Sequence, residues 1–221
     1  MVVAIDGPAG VGKSAVARRS AAAAGFQYIN SGSFYRAITL AVLEAGGPPE
    51  DPAKVLETAR ACRLDLREGA LVMDGRDVEG ALRSDAVDAW VAPHSSIPEV
   101  RDTVNAMLRG IAEGRDVVVE GRDIGTVVFP RAECKIFLDA DEATRAARRH
   151  AQGVSGLSQG GVRRAIAERD RVDRTKPTGR LEIAADALYI DTSHLTIEEV
   201  CERVLRAILE SKNNPGDIRR L

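Results

Sequence analysis

Little in this chain of 221 residues points to redox chemistry, a metal centre or a membrane. Its three cysteines, Cys62, Cys134 and Cys201, are far apart and fit no metal-ligand or redox spacing. Each lies in or beside an apolar segment, where a buried thiol in a reducing compartment is expected. The three histidines, His94, His150 and His194, are scattered and suggest surface or packing roles rather than catalysis. A net charge of −2 creates no global field that would draw in nucleic acid or an acidic membrane. No apolar run approaches membrane-spanning length, and the chain enters Val2–Ile5 with no basic lead or cleavage site. A soluble, cytoplasmic monomer is therefore expected, with no nucleic-acid or membrane partner. The length suits one α/β domain carrying a small insertion, or at most two small domains.

What is present alternates between strand and helix patterns. Val2–Ile5, Phe26–Ile29, Val117–Val119, Lys135–Leu138 and Leu188–Ile190 are short apolar runs of buried-strand type. Helical spacing covers Lys13–Ala24 (stopped by Gly25), Ser33–Ala45, Pro98–Glu113 and the Arg-rich segment Asp141–Gln152. A capping box, Thr196 with Glu199, opens a last helix. Its expected core face is Ile197, Val200, Cys201, Val204, Leu205, Ile208 and Leu209. Residues 62–82 break the pattern: turns at Glu68-Gly69 and Asp74-Gly75 predict a small antiparallel meander. The tail 213–221 is polar. Alternating strands and helices predict a five-stranded parallel sheet flanked by helices, with ligands bound beyond the strand C-termini.

Gly7-Pro8-Ala9-Gly10-Val11-Gly12-Lys13-Ser14 satisfies G-x-x-x-x-G-K-[ST] between a predicted strand and a predicted helix. Glycines let backbone N–H groups turn inward, and the positive helix end faces the same point. Lys13 would reach the terminal phosphates of a nucleoside triphosphate, and Ser14 would hold Mg²⁺. Such a loop also serves signalling GTPases, but the guanine-reading N-K-x-D is absent. Asp77-Val78-Glu79-Gly80 matches D-x-x-G, yet it falls in the meander and reads as coincidence. Between Arg145 and Arg180 stand ten Lys/Arg and three acids, a local charge of +7 with no aromatic for base stacking. The interruption at Gly153-Val154-Ser155-Gly156 makes this a helix–loop–helix that would close over a polyphosphate and exclude water. Asn30–Arg36 and Glu120-Gly121-Arg122-Asp123 each place a guanidinium beyond a strand, as a second anionic substrate requires. These features favour phosphoryl transfer to a small acceptor over a nucleotide-dependent switch.

Several of these segments form an ordered set: Gly7–Ser14, Ser31-Gly32-x-x-Tyr35-Arg36, the run from Glu120 to Pro130 (E-G-R-D-I-G-T-V-V-F-P), and Lys135–Leu138. Arg169-Asp170-x-x-Asp173 and Ala185-Asp186-Ala187 follow. Together they resemble the bacterial cytidylate kinase family, which transfers the ATP γ-phosphate to CMP or dCMP, from Val3 to the last helix. The resemblance implies a P-loop kinase fold with three parts. They are a core (about 1–30, 84–150 and 181–212), an NMP-binding part with the meander (about 31–100, overlapping the core) and a lid (about 151–180). It implies that Arg36 and Arg122 hold the CMP phosphate, that Ser31, Arg101 and Asp123 read the cytosine, and that Arg169 and Asp173 hold the sugar, with Lys176 nearby. Asp123 can accept from the cytosine N4 amino group, which uracil lacks. Lys13, Arg145, Arg149 and Arg169 are the expected catalytic cations. Three positions depart from the family pattern: Ala92 stands for a sugar-contacting Ser, Lys176 for an Arg, and Arg131 for an acid. Lysine keeps the charge at 176 and loses the planar fork. Another acceptor, such as UMP, remains the alternative.

Overall fold

The computed structural model describes residues 1–67, 69–151 and 158–213. Glu68, the Gly153–Gly156 interruption and the tail beyond Asn213 lie outside the described residues. Two compact units divide the chain: Met1–Ile29 with Gly114–Leu221, and Asn30–Glu113.

The first unit is built on a five-stranded parallel sheet flanked by helices. Its strands are β1 (Val2–Asp6), β2 (Gln27–Asn30), β6 (Val117–Gly121), β7 (Cys134–Asp139) and β8 (Leu188–Asp191), in the order β2-β6-β1-β7-β8. Strand β1 is central because it is apolar on both faces, which suits a strand buried between parallel neighbours. Its register sets Asp6 opposite Gly121 of β6 and Phe137 of β7. Helices α1 (Lys13–Ala24) and α8 (Ile197–Asn213) pack on one face through Val16, Ala17 and Ala21, and Val200, Val204, Ala207 and Ile208. Gly25 ends α1 in the left-handed region, as its position after the alanine run predicts.

At α8 the capping box forms in both directions. Glu199 N–H donates to Thr196 Oγ1 at 3.2 Å, and Thr196 N–H donates to Glu199 Oε2 at 2.8 Å. The core face of this helix needs one correction. Leu209 is exposed and Ala207 takes the inward position, because the stripe drifts with the 3.6-residue period and favours 204, 207, 208 and 211. Cys62 and Cys134 are buried, whereas Cys201 is only partly so.

The second unit holds α2 (Ser31–Ala45), α3 (Pro52–Ala61), the meander β3 (Leu64–Arg67), β4 (Ala70–Met73) and β5 (Arg76–Asp77), then α4 (Asp85–Ser95) and α5 (Pro98–Ala112). The meander forms as expected, and Asp74 and Gly75 both take positive φ (49° and 84°), the two-residue turn that suits the twist of a hairpin. Asp77–Gly80 lies in and after β5, a strand of the three-stranded sheet and not of the five-stranded one. Helices α3 and α4 carry no assignment in the sequence reading. Their start signals are nonetheless present: Asp51 caps α3 before Pro52, and Ser84 caps α4. Pro93 inside α4 masks the second. Among the described residues no helix is long and apolar enough to cross a membrane.

Candidate active site

Strand β1 ends on Asp6, and the chain then turns at Gly7 into the phosphate loop. Gly7 has φ +152°, and a Cβ there would stand 2.1 Å from the Leu138 carbonyl oxygen of β7. Only glycine lets the loop leave the sheet this close to its neighbour. The loop delivers Lys13 to the first turn of α1, with Gly12 as N-cap and Ser14 exposed beside it. The early amides of α1 therefore face the loop with their positive helix end.

Lys13 is buried and its Nζ donates to the Pro8 carbonyl at 2.6 Å. Burial first, and then the charge of Arg122, push its ammonium pKa well down; Glu120 opposes this, Arg169 adds to it, and Asp6 opposes it. The structure thus brings Arg122 and Arg169 within electrostatic reach of Lys13. A polyphosphate entering that field would oppose the downward shift and be held by the Lys13 ammonium.

Beyond β6 comes the signature run. Arg122 and Asp123 lead into a π-helical turn, Ile124–Val128, which the sequence reading left without a conformation. Asp123 C=O accepts from Val128 N–H at 3.1 Å, and Ile124 C=O from Phe129 N–H at 2.7 Å, the i→i+5 pattern. Arg122 Nε donates to Asp173 Oδ2 at 2.8 Å, and Lys176 stands 3.4 Å from Asp173 Oδ1. Arg122, Asp173 and Lys176 therefore form one group. Burial alone would raise the Asp173 pKa, but the charge and hydrogen bond of Arg122, with Lys176 and Arg169, bring it below the usual range.

Helices α6 (Glu142–Ala151) and α7 (Gln159–Thr175) pack through Ala146, Val162 and Ile166. Arg145 of α6 is buried. It donates to Ala140 C=O at 3.0 Å and to Ala9 C=O at 3.2 Å, and pairs with Asp170 of α7 at 2.5 Å. Its guanidinium joins the phosphate loop to α7. Arg149 is half-buried and Arg169 exposed. Arg148 donates to Val11 C=O and Thr192 C=O at 3.4 and 2.7 Å, which fastens α6 to the loop after β8.

In the second unit, Asn30 caps α2 by accepting from Ser33 N–H at 3.2 Å, which places buried Ser31 in the first turn. Arg36, on the same helix, donates to Leu82 C=O at 2.9 Å and pairs with Asp88 at 2.6 Å. Arg101 of α5 is buried, lies 5.4 Å from the Tyr35 ring centroid and donates to Ser95 C=O at 3.3 Å. Ala92 is exposed on α4, and Ser95 and Ser96 hydroxyls both donate to its carbonyl. His94 is buried between Thr39 and the Pro49 carbonyl, a packing role.

Four residues that organise this site were given no role by the sequence: Asp6, Arg148, Lys135 and Asp170. Lys135 and Asp170 lay inside recognised motifs without a role, and Asp6 carried a readable signal as an acid closing an otherwise apolar strand. Lys135 donates to Pro130 C=O at 2.7 Å and pairs with Asp186 at 2.9 Å, so two motifs recognised separately meet in space. Among the described residues no group of three or more His, Cys, Asp or Glu could hold a metal ion.

A phosphate loop at the end of a parallel strand, opposed by arginines from the next strand end and from a helical pair, defines a P-loop phosphotransferase. The chain matches the cytidylate kinase family over residues 3–210. It is 43% identical over 219 residues to a cytidylate kinase of Caldanaerobacter subterraneus, covering 98% of this chain and 97% of that one. A cytidylate kinase of Nocardia farcinica is 42% identical over 218 residues, with 95% and 94% covered. The chain belongs to the cytidylate kinase family. An uncharacterized protein from Eubacterium ventriosum shares the fold alone, with a TM-score of 0.53 at 10% identity and 95% and 98% of the two chains covered.

Proposed function

We propose that this kinase transfers the γ-phosphoryl group of ATP directly to CMP or dCMP, in line and without a covalent enzyme intermediate. The observation that carries the reading is the placing of Arg122 and Arg169 where their charges act on buried Lys13 of the phosphate loop. One cation comes from the triphosphate loop, one from the acceptor turn and one from α7. The acceptor oxygen needs no general base, because a phosphate monoester with a second pKa of about 6 is already mostly dianionic at neutral pH. Positioning and charge stabilisation then supply the catalysis.

Gly7, Pro8, Ala9, Gly10, Val11, Gly12, Lys13 and Ser14 bind ATP in this reading. Ser14 suits Mg²⁺, since a hydroxyl oxygen beside Lys13 on the exposed first turn is a hard donor of the type that ion prefers. The bound ion would neutralise charge on the transferring phosphate. Arg122 and Arg36 take the CMP phosphate, Ser31, Arg101 and Asp123 the base, and Asp173, with Arg169 and Lys176, the sugar side. Arg169 is the arginine of α7 whose charge reaches Lys13, so it is assigned to the transferred phosphate with Arg149. Arg145, expected among these, is assigned instead to holding the loop, because its guanidinium is engaged with Ala9, Ala140 and Asp170. Core, NMP-binding part and lid keep the boundaries given above, and a cytoplasmic monomer is proposed.

The test is ADP release across nucleoside monophosphates. CMP and dCMP should be the best acceptors, and failure with both removes the reading. Replacing Asp123 by alanine should damage CMP use far more than ATP binding; equal losses would take Asp123 out of the base pocket.

A further inference from the structure

We infer that Asp6 is a positioning residue for acceptor recognition, fixing the turn that carries Arg122 and Asp123 against the start of the phosphate loop. The inference rests on the proposed roles of those two residues. Asp6 is 5% exposed, and its two oxygens accept from two consecutive amides, Ile124 N–H at 2.9 Å and Gly125 N–H at 2.7 Å. Those are the first two residues after the Arg122-Asp123 pair, and they open the π-helical turn. Asp6 itself is followed directly by Gly7. One carboxylate therefore joins the first residue of the ATP loop to the first residues of the acceptor turn.

Stability alone does not call for a carboxylate here. Strand β1 is otherwise apolar, and burying an acid among apolar neighbours is costly unless its oxygens are satisfied. The two amides satisfy it, and they do so only while the turn keeps this conformation. From the other side the turn is held by Lys135. Its aliphatic stem lies so close to Gly125 that a Cβ there would meet Lys135 Cδ at 3.3 Å and Asp6 Oδ2 at 3.4 Å. The Lys135 ammonium then ties down Pro130 C=O at the far end of the same run. Asp6 thus sets the beginning of the segment and Lys135 its end. A shift of about 1 Å in Arg122 would be felt in the reaction as on the order of a hundred-fold.

The experiment compares the full-length Asp6→Asn and Arg122→Ala variants with wild type. It measures the CMP KM and kcat, the binding of an ATP analogue, and hydrogen exchange at the Ile124 and Gly125 amides. Asp6→Asn preserves shape but turns an N–H₂ donor toward one amide N–H. It should raise the CMP KM by roughly 10- to 100-fold and speed exchange at those two amides, while changing ATP-analogue affinity by less than about 3-fold. An unchanged CMP KM with accelerated exchange would show a turn held for stability only and overturn the inference. So would equal losses toward CMP and ATP. If Arg122→Ala leaves the CMP KM unchanged, the assignment of Arg122 fails, and the two outcomes remain distinct. Should Asp6→Asn not fold, Gly125→Ala perturbs the same contact from the other side, with the same expected split between CMP and ATP.

Discussion

Replacing Asp170 by alanine would strand the Arg145 guanidinium between α6 and the phosphate loop. The pair is 2.5 Å apart, and the two side chains are 9% and 13% exposed, so solvent screens it little. Breaking a buried pair from one side costs about 3–5 kcal/mol when the remaining charge is left uncompensated. Two features lower that figure. Arg145 keeps its hydrogen bonds to Ala140 and Ala9. Asp170 Oδ1 is buried without a hydrogen-bond partner, and alanine removes that penalty of about 1–3 kcal/mol. A net loss of about 2 kcal/mol remains, which for a chain of this length lowers Tm by about 4–8 °C. The decisive assay is a double-mutant cycle of Asp170→Ala with Arg145→Ala, followed by urea unfolding. A coupling of about 1.5–3 kcal/mol is expected for partners in direct contact. A coupling below about 0.5 kcal/mol would mean that the pair does not join α7 to the loop. ATP turnover should fall in Arg145→Ala because Ala9 loses its donor there; an unaltered kcat would refute that step.

Gly7→Ala should abolish ATP binding and cost about 3 kcal/mol or more, because its Cβ meets a backbone carbonyl at 2.1 Å that cannot move without disturbing β7; binding of an ATP analogue with wild-type affinity would contradict the geometry. Asp173→Asn should weaken the link to Arg122 by about 1.5–3 kcal/mol at neutral pH. Since the folded pKa of Asp173 lies below its unfolded value near 3.9, that contribution is complete above it and fades as pH falls further. Urea unfolding of wild type and variant should therefore converge as pH falls below the unfolded Asp range. Asp6 has the opposite sign. Burial raises its pKa to about 6, against the two amide hydrogen bonds, with Asp123 adding to the rise and Lys13 opposing it, and the Lys135 stem packs across Gly125. Folding is then favoured by protonation between about 4 and 6, so wild type should gain on the order of 3 kcal/mol relative to Asp6→Asn as pH falls through that window. A gap that is flat with pH, or that widens the other way, would show that Asp6 is not a buried titrating acid.

The parallel sheet, the phosphate loop and the meander were legible because each rests on local rules: apolar runs, a glycine pattern before a helix, and Asp-Gly between short strands. Helices α3 and α4 were missed although their caps were in view, because neither has a wide apolar stripe and Pro93 interrupts the second. Arg145 was picked out by charge and chain position. What its guanidinium holds depends on Asp170, 25 residues further on, and on Ala9, 136 residues back. Spacing along a chain cannot reveal such partners. Leu209 was misplaced for a smaller reason, one step of drift around the helix.

The run from Gly121 to Pro130 shows why a long motif can be recognised before it is understood. Ile-Gly-Thr-Val-Val has the composition of a strand, with three β-branched residues beside a threonine, yet it folds as a π-helical turn. Nothing within the run compels that conformation. The Ile124 and Gly125 amides are claimed by Asp6, Gly125 is confined by Lys135, and Pro130 C=O is fixed by the same lysine. Buried Ile124 and Val128 then fill the space beneath, while Val127 points outward. The backbone of the run is accordingly held by Asp6 on β1 and Lys135 on β7, and at its head stand the side chains of Arg122, paired with Asp173, and Asp123. A segment whose backbone is fixed from outside, so that two polar side chains are held at a strand end, is built for recognition rather than for folding. On the roles proposed for Arg122 and Asp123, the specificity of the motif and that of the enzyme have one physical source, and Asp6 is where the ATP loop takes part in it.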